Sequence, residues 1–168
     1  MLVRTANTAD AQRIAQIHVE TWRTAYRGQI SDAVLDSLSV EHRAAFWRER
    51  LTQAKDSVFV AEDSGVIGFC DLVPSRDKDG GQAVGEIVAI YVLSQHWRQG
   101  AGQALCDHAL AEARRRGYEA VTLWSLASNS SARRFYEVMG FSLDGATKTE
   151  KASDGSDLHE VRYRRRVA

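Results

Sequence analysis

Apolar residues recur along this chain in two periods, and the points where one period replaces the other mark its elements. "LVRTA" at the start reads as a short strand. Behind it Ile14, Ile17, Trp22 and Tyr26 fall broadly in helical phase, with Thr8 or Asp10 placed to cap that helix. A second short helix is predicted after Ser31, and a third carries Phe46, Trp47 and Leu51. The period then shortens. "SVFVAED" and "VIGFCDLV" are β-rich runs on either side of Ser64-Gly65, which predicts a hairpin. The polar stretch "PSRDKDGGQ" from Pro74 to Gln82 reads as a mobile loop, and "VGEIVAIYVL" from Val84 to Leu93 is the most β-like run of all. Leu105, Cys106, Ala109, Leu110 and Ala113 next form one helical stripe, which Gly117 ends. "AVTLWSLA" predicts another strand, "NSSARRFYEVMG" a helix capped by Asn129 and closed by Gly140, and two strands finish the chain.

Strand, helix, strand, helix, strand from Val84 to about Asp144 implies a parallel pair joined by a right-handed crossover. The hairpin before it and the strands after it supply antiparallel neighbours. The expected class is α+β, or mixed α/β, as one domain over residues 1–168 around a central twisted sheet flanked by helices. No repeat or linker divides the chain, and its one proline, Pro74, lies beside a polar loop.

Composition narrows the function classes. Hydrophobic residues make up 44%, enough for one real core, and 22 basic side chains cancel 22 acidic ones. Bulk charge therefore argues for no nucleic-acid or membrane partner, and "ARRRG" and "RYRRR" read as solvated faces. No stretch approaches the ~20 apolar residues of a membrane span and the start lacks a signal-peptide core, so a cytoplasmic location is expected. Cys70 and Cys106 sit in apolar patterns without metal-ligand spacing, so both read as core residues and no metal is expected.

The stretch "WRQGAGQAL" keeps its backbone bare where a strand ends and a helix begins. The first N–H groups of a helix have no intrahelical partner and face the positive end of its dipole, so a glycine-rich entry can cradle phosphate. Gly100 and Gly102 would lie near a pyrophosphate, with Gln99, Ala101 and Gln103 lending N–H groups and Arg98 a charge. Gly102 could equally serve close helix-to-sheet packing. A Walker loop is excluded because residues 102 to 104 are Gly-Gln-Ala, and the dinucleotide fingerprint because its third glycine is replaced by Leu105.

"IVAIYVLSQHWRQGAGQALCDHAL" followed by "LWSLASNSSARRFYEVMGF" resembles the cofactor core of the GNAT superfamily of acyl-CoA-dependent N-acetyltransferases. An aliphatic strand, a Gly-x-Gly helix entry and an Asn-x-x-Ala-x-x-Phe-Tyr-x-x-x-Gly-Phe helix occur in order, with the strong match over roughly residues 84–142. One departure is Trp97, standing where the family loop usually begins with Arg or Gln. The resemblance implies a mostly antiparallel sheet with one splayed parallel pair and acetyl-CoA as cosubstrate. It places the pyrophosphate over residues 98–103 and the pantetheine arm along the strand ending at Val92. A backbone N–H near Ile90, Tyr91 or Val92 would face the thioester oxygen, and Asn129 would contact the arm.

Acetyl transfer needs a neutral nitrogen, and an alkylammonium of pKa ~10.4 is only about one part in a thousand neutral at pH 7. Glu86 shares a strand face with Val88 and Ile90 by simple alternation, which would aim it into the cleft as a base or water-positioner; an exposed carboxylate at a strand entry is the alternative. By resemblance, Tyr136 protonates the departing sulfur. Consecutive Cys106, Asp107 and His108 splay around their helix and make no triad. Acceptor choice falls by resemblance to Glu20 through Asp32, where Trp22 and Tyr26 could form an aromatic wall, with Trp124 and Ser125 beside them. The acceptor class stays open between small amine, amino acid, polyamine or antibiotic, and protein amine, and a homodimer is equally open. A catalytically silent acyl-CoA sensor is the competing reading.

Overall fold

The central strands of this protein are mostly apolar and are buried at nearly consecutive positions rather than at alternate ones, so both faces of the sheet need cover. In the computed structural model, which describes residues 1–53 and 57–168, helices supply it from two sides. The order is β1 (Leu2–Thr5), a 3-10 turn (Thr8–Asp10), α1 (Ala11–Ala25), α2 (Asp32–Asp36), α3 (Val40–Gln53), β2 (Val58–Glu62), β3 (Val66–Pro74) and β4 (Val84–Val92). A second 3-10 turn (Ser94–His96) leads to α4 (Ala101–Arg115), β5 (Ala120–Leu126), α5 (Ser130–Val138), β6 (Ser142–Lys151) and β7 (Asp157–Arg166).

The seven strands form one sheet in the order β1-β2-β3-β4-β5-β7-β6. Only β4 and β5 run parallel, because α4 carries the chain back between them; every other neighbour pairs antiparallel. The predicted hairpin turn is present, with Ser64 and Gly65 both at positive φ. The Leu105–Ala113 stripe of α4 packs with Phe59, Cys70, Leu72, Val121 and Leu123 on one face of the sheet. On the other face Ile14 and Ile17 of α1 and Trp47 and Leu51 of α3 enclose Val58, Val60 and Phe69, while Phe46 of the same helix points outward. A smaller cluster joins Val34 and Leu35 of α2 to Leu126 of β5.

Two local expectations are corrected. Neither Thr8 nor Asp10 caps the first helix with its side chain: Asn7 accepts from the Ala9 N–H, and Asp10 reaches back to the Asn7 N–H, a reciprocal capping box one residue earlier. The polar loop after β3 is tied down rather than free, since Arg162 of β7 bonds both Asp77 and Asp79. Those partners lie more than eighty residues apart, beyond the reach of any local pattern.

Candidate active site

β4 and β5 pair only over three rungs, from Val84–Ala120 to Glu86–Thr122. Beyond them the strands part: β4 stays against β3 as far as Val92, and β5 stays against β7 as far as Leu126. A wedge opens in the middle of the sheet. Val88, Ala89, Ile90 and Tyr91 become half-buried there, and the edge of β4 that faces β5 carries no ladder partner, which leaves backbone groups available to a ligand.

At the mouth of the wedge the chain turns into α4. Arg98 and Gly100 both adopt left-handed backbone, with φ of 59° and 88°, and Gly100 is the glycine this turn requires. Successive N–H groups in such a turn make an anion-binding concavity. Among the described residues, the N–H groups of residues 98–103 donate to no acceptor; the first bond of the helix is Ala104 N–H to Gly100 O at 2.9 Å. A Cβ built on Gly102 would meet Phe135 of α5 at 3.5 Å, so the close packing at this glycine is with a helix rather than with the sheet. Trp97 anchors the loop: its indole N–H donates to Val92 O at 2.6 Å, holding the end of β4 where the sequence departs from the family pattern.

α5 brings Tyr136 to the wedge. Asn129 caps this helix by accepting the Ala132 N–H at 3.1 Å, while its own amide N–H groups bond no described residue. Tyr163 of β7, wholly buried, accepts from Arg133 and donates to Glu137, which fastens the helix to the sheet. Tyr136 packs between Phe135, Phe141 and Tyr163, and among the described residues its hydroxyl has no partner. Burial raises the Tyr136 phenol well above its ordinary range, with the Tyr91, Cys106 and Cys70 groups adding to the shift. Cys106 is itself pushed up to about 12, chiefly by burial, so neither it nor the more deeply buried Cys70 is an activated thiol. Asp107 is exposed and the His108 ring packs tilted against Phe59, so the splay expected of this triplet holds.

Glu86 does not share a face with Ile90. The β3–β4 register shifts between Asp71 and Leu72, so that Asp71 opposes Ala89 and Leu72 opposes Ile87, leaving Val88 as an extra residue. Simple alternation fails at this bulge. Ile87, Ile90 and Val92 pack toward α4, whereas Ala89 and Tyr91 pack toward α1 and α3. Glu86 stands at the closed end of the wedge, 1% exposed, and takes three hydrogen bonds from Arg76: its backbone N–H at 2.9 Å, Nε at 3.2 Å and Nη2 at 2.7 Å.

The proposed acceptor wall divides. Trp22 and Tyr26 stack edge to face at 5.1 Å and pack with Leu126 and Leu158, beside the wedge. Burial raises the Tyr26 phenol, with Tyr91 and Tyr136 contributing, so three phenols converge from α1, β4 and α5. Trp124 lies on the same side of the sheet as Leu126, its indole N–H donating to Asp77. Ser125 points the other way and is buried, its hydroxyl donating to the Leu126 carbonyl at 3.4 Å.

Two residues here escaped sequence reasoning. His18 sits inside an aromatic box of Trp22, Trp47, Phe69 and Tyr91, accepts from the Trp47 indole, and is lowered by burial to about 3. Its signal was its place on the Ile14–Trp22 stripe of α1. Glu160 lies beside Leu126 on β7, and burial raises its carboxyl against the lowering influence of Lys148. The alternation of "DLHEVRY" would have placed it on the face of Leu158 and Arg162.

Among the described residues no group of three His, Cys, Asp or Glu is placed to hold a metal, and no helix is long and apolar enough to cross a membrane. Residues 12–141 match the model of the acetyltransferase (GNAT) family. The uncharacterized N-acetyltransferase YuaI of Bacillus subtilis is 35% identical over 77% of this chain and 73% of its own length. A probable N-acetyltransferase of Mycobacterium tuberculosis is 30% identical over 96% of this chain and 91% of its own. In fold, the chain superimposes on yncA, a putative acetyltransferase from Salmonella typhimurium solved with acetyl-CoA, at a TM-score of 0.74 and 23% identity over 100% of this chain and 94% of that one. It superimposes equally on the PaiA N-acetyltransferase of Thermoplasma acidophilum in complex with coenzyme A, at a TM-score of 0.75 and 19% identity over 98% of both chains.

Proposed function

Because the chain belongs to the acetyltransferase (GNAT) family, we propose that it moves the acetyl group of acetyl-CoA onto a primary amine by direct attack within the wedge. The observation that carries this reading is the run of unpartnered N–H groups at residues 98–103, set at the mouth of a parted parallel pair. Residues 84–142 form the cofactor core. Gln99, Gly100, Ala101, Gly102 and Gln103 would hold the pyrophosphate through backbone N–H groups, with Arg98 adding charge. The β4 edge from Ile90 to Val92, which has no ladder partner on the β5 side, and the Asn129 amide N–H groups, which bond no described residue, would hold the arm. Acetyl-CoA supplies an activated thioester. The buried, unactivated state of Cys70 and Cys106 favours direct attack over an acyl-enzyme.

Tyr136 is the acid in this reading. A phenol raised by burial stays protonated at neutral pH and keeps its hydrogen to give. Transfer to a thiolate of ordinary conjugate pKa ~8.5 is uphill, but desolvation raises both groups, as Cys106 shows, so the mismatch need not widen. The donation accompanies C–S cleavage.

Glu86 serves the site from the closed end. Its oxygens are occupied by Arg76, an arrangement that suits positioning better than proton abstraction. Glu86→Gln separates the two roles. A base gives a rate loss largest at low pH and smallest near pH 9 to 10, close to the amine's pKa of ~10.4; a positioning group gives a parallel loss at every pH.

The acceptor enters from the side of Trp22 and Tyr26. Thiol release from acetyl-CoA over a panel of small amines, amino acids, polyamines, aminoglycosides and peptides tests the proposal. Turnover on one class upholds it. Thermal stabilisation by coenzyme A with no turnover on any amine replaces it with the silent acyl-CoA sensor.

A further inference from the structure

On the acceptor side of the wedge the protein already binds an alkylammonium of its own. Lys148 reaches from β6 across β7 and holds its Nζ 4.5 Å above the centre of the Trp124 ring on β5. The same Nζ lies 3.5 Å from Glu160 and 3.4 Å from Glu150. An aromatic face and two carboxylates are the groups that recognise a compact cation. Trp124 stands two residues past the last rung between β4 and β5, on the lip of the wedge. Glu160 pairs with Leu126 on the same strand, and its charge is felt by the phenols of Tyr26 and of Tyr91 on the opposite lip.

The surrounding charge favours a cation too. Lys148 is matched by two carboxylates, and Arg162, whose guanidinium carbon lies 5.6 Å from the centre of the same Trp124 ring, is matched by Asp77, Asp79 and Asp144. The charge of Arg164 helps to hold the Asp79 carboxyl low, and that of Arg76, itself held by Glu86, acts on Glu160 in the same direction.

We propose that Trp124, Glu150 and Glu160 form an ammonium subsite of the acceptor pocket, filled by Lys148 until a linear diamine or polyamine displaces it. This rests on the acetyltransferase reading and names its substrate class. The nucleophilic nitrogen must be neutral, whereas this cage recognises charge. It therefore receives the second, unreacting nitrogen and leaves the first to reach the wedge. Lys148 is a placeholder for that nitrogen, not the amine that reacts.

The test compares 1,5-diaminopentane with n-pentylamine, equal in length but bearing one nitrogen, at saturating acetyl-CoA. The wild type should favour the diamine about tenfold or more in kcat/KM. Glu160→Gln and Trp124→Leu should each bring that ratio near one, and Lys148→Met should lower KM for the diamine. A wild-type ratio near one overturns the proposal, as does an unchanged ratio in either variant that melts like the wild type. If the wild type acetylates no amine, calorimetric titration of 1,5-diaminopentane into the protein with coenzyme A reads the subsite alone. Heat that is lost in Glu160→Gln or Trp124→Leu upholds the cage, and absence of heat in the wild type overturns it, whatever becomes of the catalytic reading.

Discussion

The two faces of the sheet around the wedge are made of different material. Toward α4 and α5 lie Leu105, Cys106, Ala109, Leu110 and Leu123, and in the proposed function ligand recognition there falls to backbone N–H groups and the Tyr136 phenol. Toward α1 and α2 lie the buried Arg162 and half-buried Glu160, beside the rings of Trp22, Tyr26 and Trp124, with Glu86 and its partner Arg76 at the closed end of the wedge. Backbone donors recognise a phosphate chain common to every acyl-CoA, so one face can be generic. Side chains with specific charge recognise one acceptor among many, so the other must be individual.

The largest effect expected from breaking this division is at Tyr136, the acid proposed for the apolar side. Tyr136→Phe keeps the ring that packs on Phe141 and Tyr163, so the melting temperature and its rise with coenzyme A should hardly change. Loss of a general acid costs typically 10²–10⁴-fold, so kcat should fall by about that much, with part of it regained on a thioester whose thiol is more acidic. Near wild-type kcat under conditions where chemistry limits turnover would assign the proton to another donor.

A smaller effect is expected at Gly102. Coenzyme A at a hundred times its dissociation constant should stabilise the protein by about 2.7 kcal/mol, read as a rise in melting temperature. A Cβ at Gly102 meets Phe135 at an ordinary 3.5 Å, so Gly102→Val should fold, yet its methyl groups crowd the N–H groups of residues 98–103 and should abolish the rise. A folded variant with a wild-type shift would take the phosphate away from this loop.

The gentlest perturbation acts on the other face through His18. Unfolded chains protonate it below about pH 6.5, whereas in the folded protein it stays neutral down to about 3, since burial opposes its charge. Stability from this residue is complete above pH 6.5 and is lost as pH falls from there toward 3, at up to about 1.4 kcal/mol per pH unit. Denaturant titrations at pH 7, 6 and 5 should show the decline, and His18→Phe should flatten it. An equal decline in both proteins would place the acid sensitivity elsewhere, for instance at the Asp10 carboxyl that Arg4 holds low.

Much of the generic face could be read from the chain, and little of the individual one. The α4 stripe, the Gly100 turn and the Asn129 cap are local patterns within a few residues, where helical period and turn chemistry act directly. Glu86 shows where that reading stops. Alternation put it with Ile90, but the extra residue Val88 reverses the side of everything before it, and nothing in "VGEIVAIYV" betrays which residue bulges. Lys148 and Trp124 carried no joint signal, because they come from strands separated by β7 in the sheet and a helix in the chain.

By itself the sequence determined the succession of strands and helices, the parallel pair that a helical crossover demands, and the bare-backbone loop at the start of α4. These follow from hydrophobic period, glycine and capping chemistry, all of which act over a turn or two. Only the tertiary structure decided where β4 and β5 part, which face Glu86 occupies, and which cation meets which carboxylate. Those outcomes depend on strand register and on pairs such as Arg162 with Asp77, brought together by the burial of everything between them.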